Sequence, residues 1–440
     1  MNLFCYNLTL KALSPLLLRW LQSRAKGQKE AWDIYGDQRF GRYPKESLGT
    51  YTTAQNNEAQ AFVAPVWIHA VSLGETRAAQ PLIAALLAQG LPVLLTCMTL
   101  TGREQGAKLF ASDIARGQLR QAWIPYDLPE AVNGFYDYWQ PRCGILIERE
   151  LWANLILSAK AKHIPMLLVS ARFSQRALKQ TKRFGKVMRQ ALASLDMVLA
   201  QTYQDERRLR QFDLKHLEVV GNLKFDVDKS PQQVHQGRIT GQHIKRPIVV
   251  IASTRDGEEA LFIKAMQEDA LRQRIRQNKT LYVIVPRHPE RFAEVEELLQ
   301  HSYLNFTKRS SQPTDKALMQ VDVVLGDSMG EMFFYYGMAE VAIVAGGFVN
   351  LGGQNHIEAS ALGVPVIVGP YTRNFEKAVE DAIVEGAARR AQTPLEALQM
   401  AEYLIENQEE ADAMSKAAAQ WMSLHNGVTQ RIIDAIQPYL

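Results

Sequence analysis

Short apolar runs alternate with longer amphipathic stretches along most of the chain beyond residue 60. In the first half, the apolar runs predict strands at 66–71, 93–96, 144–147, 166–169 and 197–200. Helical periodicity lies between them, for example at 78–89 and 176–194. Strands that alternate with helices in this way are typical of a parallel sheet with helical crossovers.

The same pattern starts again in the second half. It predicts strands at 248–252, 281–285, 321–325, 341–344 and 364–368, then helices at 394–407, 409–425 and up to about 436. Residues 228–245 are polar and contain Pro231 and Gly237, which indicates an interdomain linker. The chain is therefore predicted to be α/β, with two doubly wound Rossmann-like domains at 31–227 and 246–440 that face a cleft. The last helix is in a position to pack back on the first domain.

The N-terminal thirty residues contain an apolar run at 3–21 that Lys11 and Pro15 interrupt. It is followed by Arg24, Lys26 and Lys29. A helix that crosses a bilayer needs about 20 consecutive apolar residues, so the run suits a helix lying in the interface better. We interpret residues 1–30 as a membrane-associated segment whose basic flank favours anionic lipid on the cytoplasmic face. The alternative is a helix packed on its own domain.

Composition excludes several classes of protein. The 440 residues are 47% hydrophobic and 22% charged, as in an ordinary globular protein, and a net charge of +4 is too small to indicate a nucleic-acid binder. The cysteines, at 5, 97 and 143, fit a reducing compartment and form neither a disulfide framework nor a zinc site. Dinucleotide-binding, P-loop and H-E-x-x-H motifs are missing, so we expect no metal or other cofactor.

Four predicted joints between a strand and a helix share one pattern, a hydroxyl residue followed three positions later by an acid. They are Ser72–Glu75, Thr101–Glu104, Ser253–Asp256 and Ser328–Glu331. On spacing alone each pair is a capping box, and each acid is first of all a helix cap. The same joints also present amides and the positive end of a helix, where a phosphate or a sugar carboxylate can bind.

Residues 326–330 also match G-x-S-x-G, the nucleophile elbow of serine hydrolases. A hydrolase would need a histidine and an acid later in the chain, for which His356 or His425 with Asp381 can be nominated. Because Ser328 is already explained as a cap, this interpretation is kept as an alternative.

Two further stretches in the second half suit a nucleotide. Residues 346–358 follow a predicted strand and contain four glycines, which permit close approach of the backbone to a ligand. Glu358, at the start of the next helix, can accept two hydrogen bonds from a ribose diol. Arg287, after another strand, can bind an anion or a base.

Seven short motifs lie in order along nearly the whole chain. They are H-A-V-S-L-G-E-T at 69–76, I-P-Y-D at 124–127, E-R-E-L-W at 148–152, G-N-L-K-F-D at 221–226, P-R-H-P-E-R at 286–291, G-D-S-M-G-E at 326–331 and G-G-Q-N-H-I-E at 352–358. Together they resemble the 3-deoxy-D-manno-octulosonic acid (Kdo) transferases of lipopolysaccharide synthesis. The resemblance implies GT-B architecture and an inverting, metal-independent transferase. Such an enzyme moves Kdo from CMP-Kdo to a lipid A precursor, lipid IVA, at the cytoplasmic face of the inner membrane.

Carried over residue by residue, the resemblance makes Glu75 the general base and assigns Glu148 and Lys224 to transition-state stabilisation. It assigns CMP binding to Pro286, Arg287, Met329, Gly330, Glu331, Asn355, His356, Ile357 and Glu358. Departures from the common family pattern are Arg149, Ala153, Arg255 and Gln354, and Arg149 adds a cation beside Glu148. The alternatives are a GT-B transferase that uses a UDP-sugar, the serine hydrolase, and a non-catalytic membrane scaffold.

Overall fold

The computed structural model of the protein describes residues 1–25, 32–44 and 63–440. These residues form two compact units, the first built from Met1–Asp226 with Gly427–Leu440 and the second from Val227–Asn426. The end of the predicted N-terminal segment, at 26–30, and most of the polar stretch before the first strand lie outside the described residues.

The first unit is built on seven strands: β1 (Val66–His69), β2 (Val93–Cys97), β3 (Leu119–Trp123), β4 (Cys143–Ile147), β5 (Met166–Ala171), β6 (Met197–Ala200) and β7 (Leu217–Val219). They form a parallel sheet in the order β3-β2-β1-β4-β5-β6-β7. Its helices are α1 (Leu3–Arg24), α2 (Leu73–Ala88), α3 (Leu100–Leu109), α4 (Ala111–Ala115), α5 (Pro129–Trp139), α6 (Ala153–Ala161), α7 (Gln175–Phe184), α8 (Lys186–Ala193), α9 (Tyr203–Leu209) and, from the end of the chain, α20 (Val428–Ile436).

Alternate residues of these strands enter two cores, one on each face of the sheet. Trp67 belongs to a core shared with α5, α6 and α8, whereas Val66 and Ile68 belong to a core shared with α2 and α20. Helix α20 supplies Val428 and Ile432 to that second core. Because helices cover both faces, the inner strands are mostly apolar, as a doubly wound sheet requires.

The second unit has the same architecture. Its strands are β8 (Ile248–Thr254), β9 (Leu281–Pro286), β10 (Phe306–Lys308), β11 (Val323–Leu325), β12 (Val341–Val344), β13 (Val366–Val368) and β14 (Ala388–Arg390). They form a parallel sheet in the order β10-β11-β9-β8-β12-β13-β14. The helices are α10 (Pro231–Ile244), α11 (Glu258–Met266), α12 (Asp269–Asn278), α13 (Phe292–Gln300), α14 (Asp315–Leu318), α15 (Met332–Met338), α16 (Ile357–Ser360), α17 (Glu376–Val384), α18 (Pro394–Glu406) and α19 (Gln408–His425). The predicted fold class is confirmed.

The strands that the sequence failed to predict are β3, β7, β10 and β14. These four are the outer strands of the two sheets. An inner strand such as Val341–Val344 is a continuous apolar run, whereas the outer strand Ala388–Arg390 is largely polar. Apolar periodicity detects burial on both faces, so it fails where one edge of a strand meets solvent.

Residues 228–245, interpreted from their polarity as a linker, instead contain α10, which packs on α15 in the second unit. The two helices approach closely through glycines: a Cβ on Gly237 would lie 2.2 Å from the carbonyl oxygen of Phe334. Similarly, a Cβ on Gly337 would lie 2.8 Å from the carbonyl oxygen of Val234. The contact is made by small residues rather than by an apolar stripe, which is why hydrophobic patterning did not reveal it.

Helix α1 contains the apolar run at 3–21, and one of its sides rests on the first unit. The hydroxyl of Tyr6 donates a hydrogen bond of 2.7 Å to Asp127, and Lys11 forms an ion pair of 2.7 Å with Glu130. The other side exposes large apolar side chains, among them Phe4, Leu8, Leu16 and Trp20. Within the described ranges, no helix combines the length and the apolarity needed to cross a bilayer.

Candidate functional site

Glu75 is the third residue of α2, just after β1. The backbone N–H of Val71 donates a hydrogen bond of 2.6 Å to Oε2 of Glu75, but the hydroxyl of Ser72 makes no capping hydrogen bond. The predicted capping box is therefore not formed, because Glu75 accepts from the residue before the cap and not from Ser72 itself. The described residues donate no hydrogen bond to Oε1, so this oxygen is available to a ligand.

The surroundings of Glu75 make its carboxyl group unusually basic. Burial, with added repulsion from Glu148 and Glu150, raises the pKa of Glu75 to about 8. The Val71 amide and Lys224 oppose this rise without cancelling it. A carboxyl whose pKa lies near the working pH is suited to accept a proton from a hydroxyl group, and perturbed values of this kind cluster at functional sites.

Glu148 and Lys224 form an ion pair beside Glu75. Glu148 follows β4, and Lys224 lies in the 3₁₀ helix Leu223–Phe225. Nζ of Lys224 is 2.5 Å from Oε1 of Glu148, and their side chains are only 20% and 10% exposed. Both charges act on the pKa of Glu75. The structure thus brings the three predicted catalytic residues together within the first unit.

The backbone around this ion pair is held in an uncommon conformation. Glu148 has a φ of 61°, in the left-handed region that non-glycine residues rarely adopt and that is often found at functional sites. Its N–H donates to the carbonyl of Val169, and its carbonyl accepts from the N–H of Arg172, both at 3.1 Å. The N–H of Leu223 donates to the hydroxyl of Ser170 at 3.3 Å, which anchors the 3₁₀ helix that carries Lys224.

A second acid, Glu150, is held near the site by an aromatic side chain. The indole N–H of Trp152 donates a hydrogen bond of 2.8 Å to Glu150, and the indole ring contacts His69 edge to face at 5.8 Å. His69 is fully buried, which lowers its pKa to about 4 and keeps the ring neutral. Glu150 was not among the predicted site residues, because its effect on Glu75 depends on tertiary proximity.

The nine residues predicted to bind CMP follow three strands of the second sheet. Pro286 ends β9, residues 329–331 follow β11, and residues 355–358 follow β12. The strands are parallel, so these positions share the carboxyl edge at which such sheets bind ligands. Burial raises the pKa of Tyr336 on α15, Glu358 raises it further and Arg287 opposes the rise, so Arg287 and Glu358 share one neighbourhood.

Glu331 is held by Arg309, which was not among the predicted site residues. The guanidinium of Arg309 donates hydrogen bonds of 2.9 and 3.2 Å to the two carboxylate oxygens, and the hydroxyl of Ser328 donates a third. These bonds, foremost that of Arg309, hold the pKa of Glu331 below its ordinary value. Because α15 begins at Met332, Ser328 and Glu331 bond to each other and do not form the predicted capping box.

Two of the nine predicted CMP ligands have side chains that are fully buried. His356 stacks on Trp421 with ring centroids 5.6 Å apart, and burial lowers the pKa of His356 to about 4. Ile357 is likewise fully buried. These two residues therefore present only backbone groups to a ligand, whereas Asn355 and Glu358 retain partly exposed side chains that bond to each other at 3.2 Å.

The glycine-rich turn after β12 is shaped by Glu258, a buried acid at the start of α11. Its carboxylate accepts hydrogen bonds from the backbone N–H groups of Gly346 (2.7 Å), Phe348 (2.8 Å) and Arg255 (2.9 Å). Burial nevertheless raises the pKa of Glu258. Gly346 has a φ of 76°, so it permits a turn that a residue with a side chain would strain.

Cationic side chains gather at the carboxyl ends of β8 and β9. Burial lowers the pKa of His288, and the positive charges of Arg255, Arg287 and Arg291 lower it further. Arg291 is already paired, with Asp256, Glu259 and Glu294. This corner of the second unit is therefore suited to an anion such as a phosphate.

The serine hydrolase hypothesis lacks the triad that it requires. The hydroxyl of Ser328 bonds to Glu331 and lies 2.9 Å from the hydroxyl of Tyr335. The nominated histidines lie elsewhere: His356 stacks on Trp421, and Nδ1 of His425 lies 2.8 Å from the carbonyl of Trp421. The nominated acid, Asp381, is paired with Lys377.

The other two predicted capping boxes are also wrong in detail. Helix α3 is capped by Thr99, whose hydroxyl accepts from the N–H of Gly102 at 3.2 Å, so Thr101 lies inside the helix. Helix α11 begins at Glu258 after Gly257, and the predicted partner Asp256 instead pairs with Arg291 at 2.9 Å. The spacing of a hydroxyl residue and an acid does not locate the first residue of a helix to better than about one turn.

Two parallel seven-stranded sheets with helices between their strands define an α/β protein of GT-B architecture. A solved structure with the same fold is that of UDP-GlcNAc 2-epimerase from Neisseria meningitidis bound to UDP-GlcNAc. The likeness has a TM-score of 0.53 at 14% sequence identity, and it covers 85% of this chain and 100% of that one.

Sequence comparison adds the family. The family model described as 3-deoxy-D-manno-octulosonic-acid transferase (kdotransferase) matches residues 36–227. The 3-deoxy-D-manno-octulosonic acid transferase of Bordetella pertussis is 47% identical over 99% of both chains. That of Haemophilus influenzae is 31% identical over 91% of this chain and 92% of its own. The chain belongs to the Kdo transferase family and is a glycosyltransferase.

Proposed function

We propose that this Kdo transferase uses CMP-Kdo as donor and a lipid A precursor, lipid IVA, as acceptor, with Glu75 as the general base. The proposal depends chiefly on the pKa of Glu75, which burial and two neighbouring carboxylates raise to about 8. A sugar hydroxyl is a poor nucleophile at neutral pH, so a base must take its proton as the new bond forms. Oε1 of Glu75, which no described residue occupies, takes this proton.

In the proposed step the acceptor oxygen bonds to the anomeric carbon of Kdo while its proton passes to Glu75. The bond from that carbon to the phosphate oxygen of CMP breaks, and attack on the face opposite the leaving group inverts the configuration. Lys224 offsets negative charge on the phosphate or on the Kdo carboxylate, and Glu148 stabilises the oxocarbenium-like carbon or orients Lys224. Their ion pair of 2.5 Å supports a shared role.

In this proposal the second unit binds CMP. Arg287 lies among the cations around His288 and pairs with the single phosphate. Glu358 accepts hydrogen bonds from the ribose hydroxyls, while backbone groups of 355–357 and 329–330 and the carboxylate of Glu331 complete the site. One phosphate carries less negative charge than a diphosphate. In this scheme, side-chain cations and backbone amides therefore suffice to bind it.

We also propose that α1 rests on the cytoplasmic face of the inner membrane, where its exposed side chains enter the interface. Phe4 is 74% exposed, and Leu8 and Leu16 are each 61% exposed. Large apolar side chains on one side of a helix are stabilised when they enter the boundary between headgroups and acyl chains.

The test is mass spectrometry of lipid IVA after incubation with CMP-Kdo and either the wild type or Glu75→Gln. The amide of Gln keeps an oxygen for the Val71 N–H but is no base, so we expect turnover to fall by about 10²- to 10⁴-fold. The matched control is Glu396→Gln. Glu396 is the third residue of α18 and accepts a hydrogen bond of 2.7 Å from Gln392, so it is a cap of the same geometry.

Three outcomes would contradict the proposal. Turnover by Glu75→Gln within tenfold of wild type excludes Glu75 as the base. A calorimetric preference for UDP over CMP overturns the donor assignment. Release of CMP without any mass increase in lipid IVA overturns the acceptor assignment. Unchanged binding of CMP by Glu75→Gln is expected, and an unchanged urea unfolding curve at pH 5 would show that the first unit of the variant is folded.

A further inference from the structure

The surface of α7 and α8 carries a concentration of positive charge that the transfer reaction does not use. Between Glu150 and Asp196 the sequence contains no acidic residue. The exposed cations of these helices, here called the basic surface, are Arg176, Lys179, Lys182, Arg183, Lys186 and Arg189. From the sequence, residues 176–194 were predicted to form one continuous amphipathic helix, whose charged side is ordinarily a solvated surface.

Within the described part of the chain, none of the six cations forms an ion pair. Lys182 donates a hydrogen bond of 2.7 Å to the neutral amide of Gln211. Exposed cations nearby behave differently: Arg210 pairs with Glu206 and Lys215 with Asp196, each at 2.5 Å. Uncompensated like charges repel one another, so a surface of this kind is stabilised by an external polyanion.

The basic surface is continuous with the start of α1. Helices α7 and α8 meet at Gly185, which has a φ of 67°. The N–H of Val187 donates a hydrogen bond of 3.1 Å to the carbonyl of Met1. Phe184 is 43% exposed, and Phe4 on the first turn of α1 is 74% exposed. Cations and exposed aromatic rings therefore lie beside each other.

We propose that the basic surface binds a bilayer that contains anionic phospholipid. A soluble anion would pair with the cations but would leave Phe184 and Phe4 in water, whereas an anionic bilayer takes up both kinds of side chain. The inference builds on the membrane association proposed for α1 and adds a second, electrostatic contact from a different part of the first unit. With α1 already on the membrane, the basic surface is held close to the same bilayer. The two contacts together therefore bind more tightly than either alone.

The experiment is flotation of the full-length protein with vesicles of phosphatidylcholine alone or mixed with phosphatidylglycerol. The test variant is Lys179→Gln/Lys182→Gln/Lys186→Gln. Its control, Lys229→Gln/Lys316→Gln/Lys416→Gln, removes the same charge from exposed lysines of the second unit. On anionic vesicles at low salt we expect roughly 100-fold weaker partitioning for the test variant and little change for the control. High salt should abolish the difference.

Equal partitioning of the two triple variants on anionic vesicles would overturn the inference, as would equal binding of wild type to both kinds of vesicle. A test variant that floats like wild type but shows a raised KM for a deacylated, soluble acceptor would assign the surface to acceptor phosphates instead. The apolar contact is tested separately with Leu8→Gln/Leu16→Gln. If this variant floats normally, the proposal for α1 fails, while a salt-dependent difference between the lysine variants still supports the basic surface.

Discussion

The hydroxyl of Tyr6 on α1 donates a hydrogen bond of 2.7 Å to Oδ2 of Asp127. The carboxylate of Asp127 also accepts hydrogen bonds from two backbone N–H groups at the start of α6. Asp127 therefore joins the N-terminal helix to the segment that directly follows Glu148. Burial raises the pKa of Asp127 to about 6 despite these bonds. The carboxyl group has a structural role here, and it explains the aspartate of the I-P-Y-D motif.

Tyr6→Phe should lower the free energy of unfolding of the first unit by about 1 kcal/mol, because one hydrogen bond to a buried acceptor is lost. Asp127→Ala should cost more, about 2–3 kcal/mol, because the amides of Asn154 and Leu155 also lose their acceptor. Urea unfolding at neutral pH measures both. The two variants would lose the same amount if the Tyr6 contact were the main role of Asp127.

Glu75→Gln should stabilise the protein at alkaline pH even though it greatly slows transfer. The folded pKa of Glu75, about 8, lies above its ordinary value of 4.5. Its proton therefore stabilises the folded state below about pH 4.5, and this contribution is lost as the pH rises through 8. Glutamine imitates the protonated form at every pH. We expect the melting temperature of the variant to exceed that of wild type clearly at pH 9 and only slightly at pH 5, and a constant difference would refute the raised pKa.

The two members of the ion pair should shift the pH dependence of transfer in opposite directions. Glu148 raises the pKa of Glu75 and Lys224 lowers it. Glu148→Gln should therefore move the ascending limb of kcat/KM against pH to lower pH, and Lys224→Met should move it to higher pH. Both variants should be slow, so the profile is measured on residual activity. Shifts in the same direction would mean that simple disruption of the site, and not charge, governs the pKa of Glu75.

Ser328→Ala should keep transfer within about tenfold of wild type, since the serine hydroxyl only donates one of the hydrogen bonds to Glu331. A fluorophosphonate probe should leave Ser328 unlabelled in wild type, because the bonded partners of the hydroxyl are Glu331 and Tyr335 and include no imidazole. Covalent labelling of Ser328 would revive the hydrolase alternative. Arg309→Met, which removes the main support of Glu331, is the informative comparison and should weaken CMP binding more than Ser328→Ala does.

The inner strands of both sheets were predictable because burial on both faces produces uninterrupted apolar runs such as Ile248–Ala252 within β8. The outer strands and α10 were not, since their burial is partial or depends on glycines at a helix contact. The motifs placed the candidate residues correctly at the carboxyl ends of strands. Their local roles were harder to predict, because none of the four predicted capping boxes is formed.

The pKa of Glu75 and the partner of Glu331 could not be predicted from the sequence, for a different reason. The raised pKa of Glu75 results first from burial and then from Glu148 and Glu150, which lie far from it along the chain and near it in space. Arg309 reaches Glu331 from the 3₁₀ helix Arg309–Ser311, which has no recognisable motif. Spacing rules describe neighbours along one helix or strand, whereas electrostatic environment depends on the tertiary fold.

The discontinuous first unit has a consequence for biosynthesis. Val428, Ile432, Ile433 and Ile436 belong to one of the two cores of this unit, and they are synthesised after the whole of the second unit. The half of the protein that leaves the ribosome first therefore cannot finish folding first, in contrast to the usual N-to-C order of domain folding. Until α20 is translated, α2 and the 3₁₀ helix Leu223–Phe225 lack the helix that packs on them, and during this interval the nascent chain should depend most on chaperones.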